Sequence, residues 1–139
     1  MLQFNPSILP LIVIAVANFF LSWLWYSPVL FMKPWAKALG LFGKTEMTEA
    51  EKKAMPFLFL SGLIASFILS YGLQVVVHSV GATDFLGGLL VGIVAWAAFA
   101  LTHSLNTLWE GRKPVVLVIN SGLFLLTYAV FGGIVAVWR

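Results

Sequence analysis

His103, Asn106 and Glu110 follow one another at steps of three and four residues. That spacing puts an imidazole, an amide and a carboxylate on one face of a helix. Imidazole titrates near neutrality, so a histidine beside a carboxylate is suited to proton exchange at physiological pH. The same steps continue backwards through Phe99, Trp96 and Gly92, which predicts one packing stripe along a single helix. Asn18, Trp25 and Tyr26 in an earlier apolar segment, and Asn120 in a later one, add two amides, an indole N–H and a phenol. The seven ligand-binding candidates are therefore Asn18, Trp25, Tyr26, His103, Asn106, Glu110 and Asn120. No catalytic residue is assigned.

Each candidate also has a purely structural reading. Asn18 and Asn120 suit hydrogen bonds between helices. Glu110 can pair at the headgroups with Arg112, Lys113 or Lys33. Trp23, Trp25, Tyr26, Trp35, Trp109 and Trp138 fit an aromatic belt at the membrane interfaces. His103 is read either as a neutral packed histidine or as a working one, since an ionisable group within a span is a functional candidate by default.

Other chemistries are set aside. The chain has no cysteine, which removes disulfides, thiolate catalysis and Cys-ligated metals. Its two histidines, His78 and His103, are expected near opposite membrane faces, roughly 20 Å apart from the helical rise. One ion cannot use both within a chain, and His103 with Glu110 supplies too few strong ligands. No metal site or cofactor is assigned. Gly87-Gly88 opens an apolar helix and lacks the remainder of any nucleotide motif. The basic residues flank apolar spans and form no patch on a soluble surface, so nucleic acid is not an expected partner.

The elements that must position these groups are set by the distribution of charge. Of 139 residues, 61% are hydrophobic and 9% charged, against about 25% charged in a soluble domain. Four stretches carry no charge: Ile8–Met32, Ala54–Thr83, Phe85–Trp109 and Pro114–Trp138. Each exceeds the roughly 20 apolar residues that cross a bilayer. The expected fold is an all-α integral membrane protein, a four-transmembrane-helix up-down bundle. It forms one domain over residues 1–139, with spans at 8–32, 56–78, 85–109 and 114–138. The first stretch lacks a basic n-region and is too long for a signal-peptide core, so it reads as a retained helix.

Seven of the eight basic residues fall in two loops, Lys33–Lys53 and Glu110–Lys113; the eighth is Arg139. The positive-inside rule then makes both loops cytoplasmic and both termini external, in an inner or plasma membrane. On this threading His103, Asn120 and the Trp25–Tyr26 pair share the cytoplasmic half.

Within the first loop, Pro34–Phe42 mixes Trp35, Leu39, Leu41 and Phe42 with Lys37, as a short amphipathic interfacial segment would. Thr48 and Glu51 match a capping box and start a helix. Pro56 then either kinks that helix or opens the second span, and Pro28 either bends or ends the first. Gly88-x-x-x-Gly92, Ala129-x-x-x-Gly133, Gly132-x-x-x-Ala136 and the row Gly62, Ser66, Ser70 mark close helix contacts. Those contacts lie within the chain or between copies, and a homo-oligomer through them is expected because four helices make a thin bundle.

Trp25-Tyr26-Ser27-Pro28, followed by Phe31, Lys33 and Trp35, resembles the membrane family catalogued as domain of unknown function 1761. Gly111-Arg112-x-Pro114, Ile119-Asn120-x-Gly122 and the glycine-rich tail ending at Trp138 are similar too. The resemblance implies a compact four-helix membrane protein and brings no activity or site residues with it.

The functional expectation is a membrane protein, surrounded by lipid bilayer, that binds or transports a small molecule or lipid through a polar pocket in the cytoplasmic half. The alternatives are a structural or accessory subunit, and an intramembrane enzyme using His103 and Glu110 as an acid–base pair.

Overall fold

The computed structural model describes residues 1–41, 43 and 46–138. Phe42, Lys44 and Arg139, used above in the loop and charge arguments, lie outside the described residues. The described chain is helical, with no strand among its residues. Helix α1 spans Ile8–Trp25, α2 Met32–Ala38, α3 Glu49–Val80 and α4 Phe85–Ala95. A π-helical turn at Trp96–Leu101 follows, then α5 at Thr102–Ser104, α6 at Asn106–Trp109 and α7 at Pro114–Val137. Among the described residues four helices are long and apolar enough to cross a membrane: α1, α3, the interrupted helix Phe85–Trp109, and α7. The protein is a four-helix membrane bundle in which α1 packs on α3, α3 on α7, and α4 on α7.

Local chemistry sets most of the helix ends. Thr48 Oγ1 accepts from the Glu51 amide while Glu51 returns a carboxylate to the Thr48 amide, closing the expected capping box. The helix it opens is continuous to Val80. Pro56 therefore sits inside α3 and does not begin the span, although its ring leaves the Lys52 carbonyl without a helical donor. Asp84 caps α4 by accepting from the Gly87 amide at 2.9 Å, and Pro114 occupies the first turn of α7. Gly81 ends α3 in the left-handed region at φ 84°, where a side chain would be strained.

Pro28 ends the first span. α1 stops at Trp25, seven residues short of Met32, and the chain turns with the Ser27 carbonyl accepting from the amides of Leu30 and Met32. The turn leads into α2, which packs against α7 and half-buries Trp35 and Leu39. The interfacial segment expected over Pro34–Phe42 is helical only as far as Ala38, and the helix begins earlier, at Met32.

The core lies toward the termini. Ile14, Leu73, Val77, Phe131, Val135 and Ala136 form its buried cluster, from α1, α3 and α7. The small-residue motifs of α4 and α7 mesh within the chain. Gly88 lies on Gly132 and Gly92 on the Tyr128 carbonyl, so closely that neither leaves room for a Cβ. Such backbone approach is what small residues permit in lipid, where no hydrophobic force draws helices together. The segment before α1 lies against the end of α3: Gln3 donates its amide to Ser79 Oγ, and Ser7 to Gln74 Oε1. His78 Nε2 donates to the Val135 carbonyl at 3.1 Å and ties α3 to α7.

The other half is looser. No residue of α3 before Ser66 is buried, and none of the π-helical turn is.

Candidate functional site

Asn18 joins three spans near the middle of the bundle. It is 8% exposed, donates from Nδ2 to Ser66 Oγ at 2.8 Å, and accepts at Oδ1 from Thr127 Oγ1 at 3.2 Å. Its carbonyl also takes the Ser22 hydroxyl one turn on. Both side-chain functions are engaged, as a buried amide requires.

Below it, α7 receives three side chains at consecutive residues. Trp25 Nε1 donates to the Ile119 carbonyl at 3.0 Å. Tyr26 donates its hydroxyl to Asn120 Oδ1 at 2.8 Å. Trp96 Nε1 donates to the Ser121 carbonyl at 3.0 Å. The Trp25 ring also rests on Gly122, where an added Cβ would lie 3.4 Å from its edge. Trp25 is thus an anchor between helices, lining neither cavity described next.

The third span does not carry one stripe. Gly92 is buried against α7, but Phe99 is 68% exposed, and His103 and Asn106 are exposed as well. The cause is the π-helical turn at Trp96–Leu101, whose i→i+5 bonding adds a residue to the turn and rotates everything after it. Rotation brings His103, Asn106, Thr107 and Glu110 around a pocket of about 260 Å³ that Asn120 and Phe124 of α7 complete. Glu110 pairs with Arg112 Nε at 2.8 Å, one of the partners expected for it.

A larger groove, about 870 Å³, lies on the other side of Phe124, which lines both. Asn18 and Ser22 of α1, Tyr26 just past its end, Trp35 of α2, Gly62 and Ser66 of α3 and Tyr128 of α7 are among its walls. The remaining lining is mostly apolar side chains. α3 walls the groove from Met55 to Leu69 and, before Ser66, meets α1 through Phe19, which lies against Phe59 and Gly62. The groove's size falls in the range of small-molecule sites.

The seven sequence candidates are therefore divided. Asn18 and Tyr26 face the groove, His103, Asn106, Glu110 and Asn120 face the small pocket, and Trp25 faces neither. The Tyr26–Asn120 hydrogen bond connects the two walls. Sequence reasoning missed Ser66, Thr127, Trp35 and Phe124 as site residues. Ser66 carried a signal, its place in the small-residue row; Phe124 carried none. Among the described residues no three His, Asp or Glu side chains gather as a metal-binding set would require.

A family model described as protein of unknown function (DUF1761) matches residues 9–136. The chain belongs to that family. The match takes in the Trp25–Pro28 turn, both cavities and the glycine seam, and the family description supplies no activity. No curated protein matches the chain, and no solved structure does.

Proposed function

We propose that this DUF1761 protein binds the hydrocarbon chain of a small amphiphile or lipid in the groove between α1, α3 and α7. On this reading the two basic loops are cytoplasmic, both termini are external, and the groove opens to the inner leaflet of a cell membrane. The observation that carries the proposal is the groove itself: about 870 Å³, largely apolar, with the hydrogen-bonded Asn18–Ser66 pair in its wall. Leu58 and Phe59 of α3 line the groove, and Phe57 and Ile64 outside it are exposed, as on a lipid-facing helix. The short helix that contributes Trp35 also bears exposed Lys33 and Lys37, which favours an anionic group at that end.

The test is mass spectrometry of the full chain released gently from membranes. Wild type is expected to retain an amphiphile, and Gly62→Trp, which fills the groove beside Phe19, is expected to lose it while staying folded. Equal retention by both proteins overturns the reading. Because the chain has no cysteine, single introduced cysteines report orientation. Lys113→Cys is expected to resist an impermeant maleimide in intact cells, and labelling from outside would reverse the threading.

A structural or accessory role is the second reading. Asn18, Trp25, Tyr26 and Asn120 all hold helices to one another, which favours it. It predicts that their substitution lowers stability without changing any retained ligand. The small-residue faces of α4 and α7, expected to join copies, are filled within the chain. A homo-oligomer would use other surfaces, which crosslinking from cysteines on the exposed faces of α1 and α3 would detect.

A further inference from the structure

We propose that the pocket formed by His103, Asn106, Thr107, Glu110 and Asn120 takes a head bearing a primary ammonium and a phosphate, on the amphiphile whose chain lies in the groove. The inference rests on the groove's holding a chain. A chain moving from bilayer to an apolar groove gains almost nothing hydrophobically, because lipid tails are as apolar as the side chains that replace them. Any preference among amphiphiles must come from polar contacts, and the adjoining polar cavity shares Phe124 with the groove.

The pocket is built for such a head. His103, Asn106 and Thr107 have no side-chain hydrogen-bond partner among the described residues, and Asn120 uses only its Oδ1, leaving Nδ2 free. These are donors for phosphate oxygens, with Arg112 beside them. Glu110 is the acceptor for an ammonium. Its present partner Arg112 is half-exposed, and a pair of that kind is weak enough to be rearranged. A volume of about 260 Å³ has room for roughly nine waters, hence for a phosphoethanolamine of about eight heavy atoms. A trimethylammonium would have no N–H to offer Glu110 and would want an aromatic cage, whereas Phe124 is the one Phe, Tyr or Trp side chain among the described lining residues. A purely anionic head would face the Glu110 carboxylate.

The experiment is lipid titration of the full chain read by native mass spectrometry, with phosphatidylethanolamine, phosphatidylcholine and phosphatidylglycerol of matched chains. Phosphatidylethanolamine is expected to bind about tenfold more tightly than either other lipid, the scale of one charge-assisted hydrogen bond. Glu110→Gln, at an exposed position, is expected to erase that preference while leaving retention of the chain intact. Competition by soluble glycerophosphoethanolamine, which carries the same head without the chain, is expected and upholds the amine–phosphate chemistry. Equal binding of the three lipids, or a preference untouched in Glu110→Gln, overturns the inference alone. Loss of retention for every lipid overturns the groove reading beneath it.

Discussion

The two halves of the bundle are made from the same helices and packed by different rules. Toward the termini, α4 lies on α7 backbone to backbone, the buried residues of α3 fall between Ser66 and His78, and the core cluster fills the space between. Toward the basic loops, α3 has no buried residue before Ser66, the third span changes pitch at Trp96, and two cavities open. The difference teaches that rigidity and vacancy are assigned by residue size and hydrogen bonding, since the four spans have nearly the same mean hydropathy, 1.9 to 2.1. Small residues at the seam allow close approach; before Ser66 the large residues are exposed, Phe57 outward and Phe59 against the Phe19 ring at the groove.

The strongest way to break the comparison is to put the same side chain into both halves. Gly92→Leu places a branched chain into the Tyr128 backbone and is expected to cost about 3 kcal/mol or more, the upper end of overpacking. Gly62→Leu meets only the Phe19 ring at 3.5 Å beside open groove and is expected to cost under about 1 kcal/mol. Thermal unfolding in one detergent compares them, and equal losses would show that the loose half is as tightly packed as the other.

Asn18→Ala is the next largest effect. It removes two interhelical hydrogen bonds at the border between the halves and strands Ser66 and Thr127, for an expected loss of about 1–2 kcal/mol. Tyr26→Phe deletes the single bond to Asn120 and is expected to cost about 0.6 kcal/mol. Denaturation by a strong detergent titrated into a mild one resolves both, and a Tyr26→Phe loss larger than that of Asn18→Ala would invert the hierarchy.

The smallest effect sharpens the comparison from the other side. His103→Ala should leave stability within about 0.5 kcal/mol, because the ring is exposed and without a partner among the described residues. His78→Ala, in the tight half, loses its bond to Val135 and should cost about 1 kcal/mol. Two histidines in one chain thus serve as paired probes of the two halves.

Much of the fold was legible in the sequence. Charge-free length is a transfer property that adds residue by residue, so the four spans and the tight turns could be read without knowing which helix touches which. The capping box is equally local, completed by residues three apart. The site was legible only as a list. His103, Asn106, Glu110 and Asn120 do share a pocket, yet the reason differs from the expected stripe. A π-helical turn intervenes, and nothing in the composition of Trp96–Leu101 announces it.

By itself, then, the sequence determined the solvent, the number of spans and their capped ends, because those follow from local composition and near-neighbour chemistry. Tertiary structure decided what the polar residues do. Asn18 meets partners 48 and 109 residues away, and Tyr26 one 94 away. Whether such groups meet depends on how each helix is rotated and how far it lies from its neighbours. Rotation and separation belong to pairs of helices, so no single segment could state them.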